Sequence, residues 1–209
     1  MAAPAKPVIG IIGGVGAGKS TVAAELAALG CAVVDADAVG HEVILRDDVK
    51  AELRELWGDG ILGPDGNVSR AAVARRVFAD ADDLAGLNAV MHPRMRVALG
   101  RRIKRLSSDP AVKAVVLDAA VLLEAGWDDL CTVVVFVAAT DAKRAARSAG
   151  RGWDRAAWRR REKSQKPLDI KRARAEHVLD NSSSLASLRE QVRSLLHTVL
   201  QTTDRPKGC

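Results

Sequence analysis

The segment that most restricts the fold is "VIGIIGGVGAGKST", residues 8–21. A short β-branched run over residues 8–12 reads as a buried strand, and Val22, Leu26 and Leu29 follow at helical spacing until Gly30 ends the pattern. Between them Gly13, Gly18, Lys19 and Ser20 satisfy G-x-x-x-x-G-K-[ST], in the strand-to-helix context that this spacing requires. Glycines let backbone N–H groups turn inward with no Cβ in the way, and the helix N-terminus adds positive potential. Lys19 then reaches the β- and γ-phosphates, and the Ser20 hydroxyl completes a Mg²⁺ shell. The implied ligand is a nucleoside triphosphate. No N-K-x-D element for reading guanine is present, which favours ATP over GTP.

The remaining apolar runs, "CAVVDAD", "AVVLDA", "TVVVFVA" and "EHVLDN", are uninterrupted rather than alternating, as expected of strands covered on both faces. They predict an α/β fold of the P-loop NTPase type, a parallel five-stranded sheet flanked by helices. The core takes residues 1–37 and 112–209, and residues 38–111 form a helical insertion without a strong strand. Within the insertion "DLAGLNAVM" predicts a helix that stops before Pro93, and "GDGILGPDGNVS" a surface turn. A final helix carries Leu188, Val192, Leu195, Leu196 and Val199 on one stripe, and "TTDRPKGC" reads as a frayed end.

Several classes of protein are disfavoured. At 209 residues the chain can bury a core without staples, and its three scattered cysteines form neither a disulfide framework nor a zinc site. That usage suits a reducing, cytoplasmic setting. The N-terminal apolar run breaks at Gly10, too soon for a signal peptide, and no run approaches the roughly 20 residues that span a bilayer. A net charge of +6 makes polyanions plausible ligands, and much of the excess lies between Lys143 and Arg174.

Asp35 and Asp37 follow the second strand, at the carboxyl edge where a doubly wound sheet presents its ligands. One of them can cap the next helix; the other can orient an acceptor hydroxyl and take its proton. Arg147 and Arg151, one helical turn apart after the fourth strand, can lean over the same crevice and neutralise a transferring phosphoryl group. Residues 148–166 read as a lid, with Gly150 and Gly152 as hinges and Trp153 and Trp158 as packing anchors.

Four segments together, "IGIIGGVGAGKSTVAAELAALGCAVVDADAV", "FADADDLAGLNAVMHP", "VVLDAAVLLEAGW" and "RARAEHVLDNSSSLASLREQV", closely resemble the dephospho-CoA kinase family. The resemblance runs in order over nearly the whole chain. It implies an enzyme of the last step of coenzyme A synthesis, which uses ATP and Mg²⁺ to phosphorylate the ribose 3′-hydroxyl of dephospho-CoA. By that resemblance Asp37 is the catalytic acid-base residue, working with Lys19 and Arg147. Gly14, Val15, Gly16, Ala17, Gly18, Lys19, Ser20, Thr21, Arg147 and Asn181 hold the nucleotide, with Asn181 beside the adenine. Ser20 is the metal ligand. Asp35, Asp37, His41, Arg70, His92 and Pro93 meet the acceptor. No nucleic-acid or membrane partner is implied, and a monomer is the favoured state.

The chain departs from the family's usual pattern at Ile12, His41, Ala120 and Leu123, where Thr, Arg, Pro and Phe are common. His41 matters most, because a neutral imidazole removes positive charge near the acceptor. Two other readings share parts of this sequence: a nucleoside or nucleotide kinase with a different acceptor, and a nucleic-acid-stimulated P-loop ATPase. The second lacks the aromatic residues that usually interleave a basic nucleic-acid surface.

Overall fold

The computed structural model describes residues 6–204. The elements, in chain order, begin with β1 (Val8–Gly13), α1 (Lys19–Ala28), β2 (Ala32–Asp35), α2 (Ala36–Val43), α3 (Asp47–Trp57), α4 (Arg70–Ala79) and α5 (Ala81–Ser107). They continue with β3 (Val115–Asp118), β4 (Val133–Ala138), α6 (Asp141–Ala149), α7 (Arg155–Lys163), α8 (Leu168–Arg174), β5 (His177–Asp180) and α9 (Leu185–Asp204). The chain divides into two compact units, one running to Asp35 and resuming at Arg102, the other spanning Ala36–Arg101.

The first unit is built on a five-stranded sheet of order β2-β3-β1-β4-β5 in which every pairing is parallel. The three central strands are buried almost throughout, as their unbroken apolar runs predict. The edge strands β2 and β5 differ: Val33 and Val178 are exposed while Val34 and Leu179 are buried. An edge strand has a neighbour on one side only, so a continuous apolar run there does not guarantee cover on both faces. Val22 and Leu26 of α1 and Leu188, Val192 and Leu195 of α9 pack with Ile9, Ile11, Val135 and Leu179 in one core. Burial of side chains of this size contributes about 1.5–3 kcal/mol each. This core anchors the helix that carries Lys19 directly against the sheet.

Register sets the working edge. Asp118 pairs with Ile11 of β1 and with Asp35 of β2, so both carboxylates stand where β1 runs out into the glycine-rich loop. The last helix extends through Asp204, beyond the point where fraying was expected; the rest of that expectation, like the N-terminal "MAAPA", lies outside the described residues. Among the described residues no helix is long and apolar enough to cross a membrane.

The second unit is helical. Here α5 corrects the sequence expectation, because it continues through Pro93 instead of stopping before it. Val90, Met91, Met95 and Leu99 are buried on either side of the proline. Their burial outweighs the roughly 3 kcal/mol that an interior proline costs a helix. The Arg94 guanidinium also donates to the Val90 carbonyl at 2.8 Å, inside the disturbed turn. Gly40 of α2 sits so close to Met95 that an added Cβ would lie 3.2 Å from its Cε. Asp83 ties α5 to α3 and α4 by accepting from Trp57 Nε1 at 2.7 Å and pairing with Arg76 at 2.8 Å. The predicted surface turn contains a single antiparallel bridge, Leu62 to Val68.

Candidate active site

The five carbonyl groups from Gly13 to Ala17 are all engaged by donors. Lys19 Nζ donates to Gly13 O at 3.1 Å and to Gly14 O at 3.2 Å. Trp158 Nε1 donates to Val15 O at 3.2 Å. Arg147 Nη1 reaches Gly16 O at 3.4 Å and Ala17 O at 3.0 Å, and Asn181 Nδ2 also reaches Ala17 O, at 2.8 Å. By contrast, among the described hydrogen bonds none uses the N–H groups of Gly16, Gly18, Lys19 or Ser20. A loop that served only as a turn would satisfy its own donors. This one ties down its acceptors and presents its donors, the arrangement an anion requires.

Two glycines are obligatory for steric reasons as well as for φ. Gly16 has φ +81°, and a Cβ there would strike the Arg144 backbone carbonyl. Gly18 has φ +95° and precedes α1, and a Cβ there would strike the Asn181 amide. Both positions therefore pass close to polar groups that brace the loop.

That bracing comes from α6, α7 and the end of β5. Arg147 Nη2 donates to the Asn181 carbonyl at 2.9 Å, so Arg147 and Asn181 form one support under Ala17. Asn181 is itself buried, and its N–H bonds Ala138 O at 2.8 Å. Arg144 is 3% exposed; it pairs with Asp141 at 2.8 Å, contacts Glu162 of α7, and lies 5.3 Å from the centre of the Trp158 ring. Helix α7 is thus held to α6 by charge and to the loop by an indole. A cavity of about 860 Å³ opens between α6 and α7, lined by Ala142, Ala146, Trp153 and Arg159 among others, and includes no residue of the loop.

Burial pushes the Lys19 ammonium down to about 8, with the nearby charge of Lys171 as the next cause. Arg151 acts in the same direction, while Asp118 and Glu124 oppose it. Such a lysine is still largely charged at neutral pH, and bound phosphates favour its ammonium form further, so anion binding and protonation reinforce each other.

The sequence-predicted residues are distributed as follows. Gly14, Val15, Gly16, Ala17, Gly18, Lys19, Ser20, Thr21, Arg147 and Asn181 come together around the loop. Asp35 is the exposed last residue of β2, on the same sheet edge. Asp37 lies in the first turn of α2 and His41 one turn later, both exposed and both in the second unit. Arg70 opens α4 after the Ser69 cap, and His92 and Pro93 lie mid-way along α5, where burial lowers the His92 pKa. One expectation is corrected: Arg151 does not share a helix face with Arg147, because α6 ends at Ala149 and Arg151 falls in the turn beyond it. Sequence reasoning missed Arg144, whose only signal was a basic residue one turn from Ser148 on an otherwise polar helix. It also missed Lys171, which resembles the surrounding surface lysines and arginines.

Strand order, glycine loop and flanking helices define a P-loop kinase. Comparison with known proteins agrees. The family model for dephospho-CoA kinase matches residues 7–187. A dephospho-CoA kinase from Corynebacterium efficiens is 36% identical over 194 residues, covering 92% of this chain and 96% of that protein. A crystal structure from Thermus thermophilus superposes with a TM-score of 0.78 at 36% identity, covering 93% of this chain and 98% of that one. The dephospho-CoA kinase of Campylobacter jejuni shares the fold with a TM-score of 0.70 at 18% identity, over 93% and 98% of the two chains. The chain belongs to the dephospho-CoA kinase family, and its activity is the ATP-dependent phosphorylation of dephospho-CoA in coenzyme A biosynthesis.

Proposed function

We propose that the phosphoryl group passes from ATP, held on residues 13–21, to the ribose 3′-hydroxyl of dephospho-CoA, with Asp37 as the general base. The observation that supports the nucleotide half is the loop in which every carbonyl from Gly13 to Ala17 is tied back while the N–H groups of Gly16, Gly18, Lys19 and Ser20 are left for phosphates. Among the described residues no cluster of three or more His, Cys, Asp or Glu side chains could hold a metal by itself. Ser20, in the first turn of α1, would hold a Mg²⁺ together with phosphate oxygens, and the ion would supply neutralisation of phosphate charge.

In this scheme Lys19 moves from the Gly13 and Gly14 carbonyls to the phosphates, and the helix N-terminus of α1 adds its positive potential. Arg147 and Asn181 keep the loop in shape and border the nucleotide. Asp37 orients the acceptor hydroxyl and takes its proton, Asp35 supports it from the strand end, and His41, Arg70, His92 and Pro93 hold the rest of the acceptor. Those acceptor assignments rest on the family motif positions. Helix α7 excludes water, which suppresses idle hydrolysis of ATP.

The test is Asp37→Asn with mass detection of coenzyme A. Turnover should fall by roughly 10²- to 10⁴-fold with ATP affinity unchanged, as for a lost general base. Near-normal turnover would transfer the role to another group, Asp35 first.

A further inference from the structure

Next to the phosphate-loop lysine lies a charge cluster that the mechanism above does not use. Lys171 of α8 is 2% exposed although it carries an ammonium. Its Nζ donates to Gln165 Oε1 at 2.8 Å and is ion-paired with Glu124 Oε1 at 3.1 Å. The same Glu124 oxygen accepts from the Lys166 N–H at 2.7 Å. The other oxygen, Oε2, is buried and has no hydrogen-bond partner among the described residues. Helix α8 adjoins the loop, since Leu168, Asp169 and Arg172 line a cavity of about 240 Å³ together with Gly14, whose carbonyl holds the Lys19 ammonium at 3.2 Å; there the charges of Lys171 and Glu124 both act on Lys19.

A buried carboxylate with an empty oxygen is a strong attractor for any mobile ammonium within reach, because leaving it uncompensated costs several kcal/mol. Lys19 is mobile by function, yet its ammonium rests on the Gly13 and Gly14 carbonyls. The charge of Glu124 is met instead by Lys171, whose ammonium also repels that of Lys19.

We propose that Lys171 is a positioning residue for Lys19: by occupying Glu124 it keeps the loop ammonium out of an unproductive ion pair and available to the nucleotide phosphates. The inference rests on Lys19 being the phosphate ligand. Lys171 and Glu124 break the same pair when replaced, but they should act on ATP in opposite senses. Lys171→Met exposes Lys19 to capture, whereas Glu124→Gln removes the trap and leaves the extra cation in place.

The experiment measures ATP affinity by calorimetry in the presence of Mg²⁺, with melting temperature recorded for each full-length variant. Lys171→Met should bind ATP at least about tenfold more weakly, a change of about 1.4 kcal/mol. Glu124→Gln should bind ATP as well as or better than the parent even though its melting temperature falls. The double variant Glu124→Gln/Lys171→Met should return to within about threefold of the parent, and Lys171→Arg should stay close to it. A purely structural pair would weaken ATP binding in both single variants in step with melting temperature. That result, an unchanged Lys171→Met, or a double variant no better than Lys171→Met, overturns the proposal. If Lys171→Met does not fold, Glu124→Gln alone decides, since weaker binding there is contrary to the idea and equal or tighter binding supports it. Lys19→Ala is the control: unchanged ATP affinity in that variant would sink the phosphate-site reading itself, independently of Lys171.

Discussion

The two units handle polar groups in opposite ways. Among the described residues, the buried polar or charged side chains are Arg144, Ser148, Lys171 and Asn181, all in the sheet-bearing unit, and each lies on an element that braces or adjoins the phosphate loop. In the helical unit the ion pairs, such as Arg54 with Asp59 and Arg46 with Asp48, lie at the surface. Burying a charge is costly unless it is paired, whereas a surface pair contributes little. Buried polarity is concentrated where a loop must hold a fixed shape for a highly charged ligand. The helical unit is held largely by apolar contact, with Asp83 as a sheltered charge, and keeps its other ion pairs partly or fully in water.

This contrast can be broken or sharpened by substitution. The largest effect should come from Lys19→Ala, which removes the cation that meets the transferring phosphoryl group and should lower kcat/KM for ATP by on the order of 10³ or more. Steady-state kinetics with saturating acceptor would show it. Next, Arg144→Met strips Glu162 and Asp141 of a buried partner and loosens Trp158. Asp141 is 84% and Glu162 26% exposed, so water re-solvates both carboxylates and the loss should be that of hydrogen bonds to a charged group, about 1.5–3 kcal/mol, visible in urea titration. Smaller still is a proton effect. With Lys19 pushed down to about 8, the ligand-free protein is increasingly neutral there as pH rises through that value, while bound phosphates favour the ammonium. ATP binding at about pH 9 should therefore take up a proton, and affinity should decline with rising pH above 8 but not below it; calorimetry in buffers of different ionisation heat measures this. The smallest effect belongs to Arg54→Ala in the helical unit, where stability should change by less than about 0.5 kcal/mol. A loss comparable to that of Arg144→Met would remove the distinction between the two units.

Legibility in the sequence followed the same division. The strand, glycine loop and helix over residues 8–28 could be read because the signals are local: β-branched run, glycine spacing, helical period. Parallel pairing could be read from the unbroken apolar runs, but the exposure of Val33 and Val178 could not, since it depends on which strands end up at the sheet edge. Pro93 misled because a local breaker was weighed without the burial of Met91, Met95 and Leu99 around it. At the site the loop residues were legible from local pattern, whereas of their supports Arg147 and Asn181 were reached through the family resemblance, Trp158 only as a packing anchor, and Arg144 and Lys171 not at all. Arg147 and Trp158 bond carbonyls more than a hundred positions away, at separations of 130 and 143 residues. No local pattern distinguishes them from neighbouring arginines and tryptophans. Lys171 was hidden for the same reason, its burial being set by Glu124 on a distant loop.

The indole of Trp158 rests on the Val15 carbonyl, while Trp57 and Trp153 are engaged elsewhere, with Asp83 and Arg161 respectively. The protein thus carries its own optical probe at the nucleotide cradle. With Trp57, Trp127 and Trp153 replaced by Phe, emission from that ring would report any displacement of α7 from the loop without an attached dye.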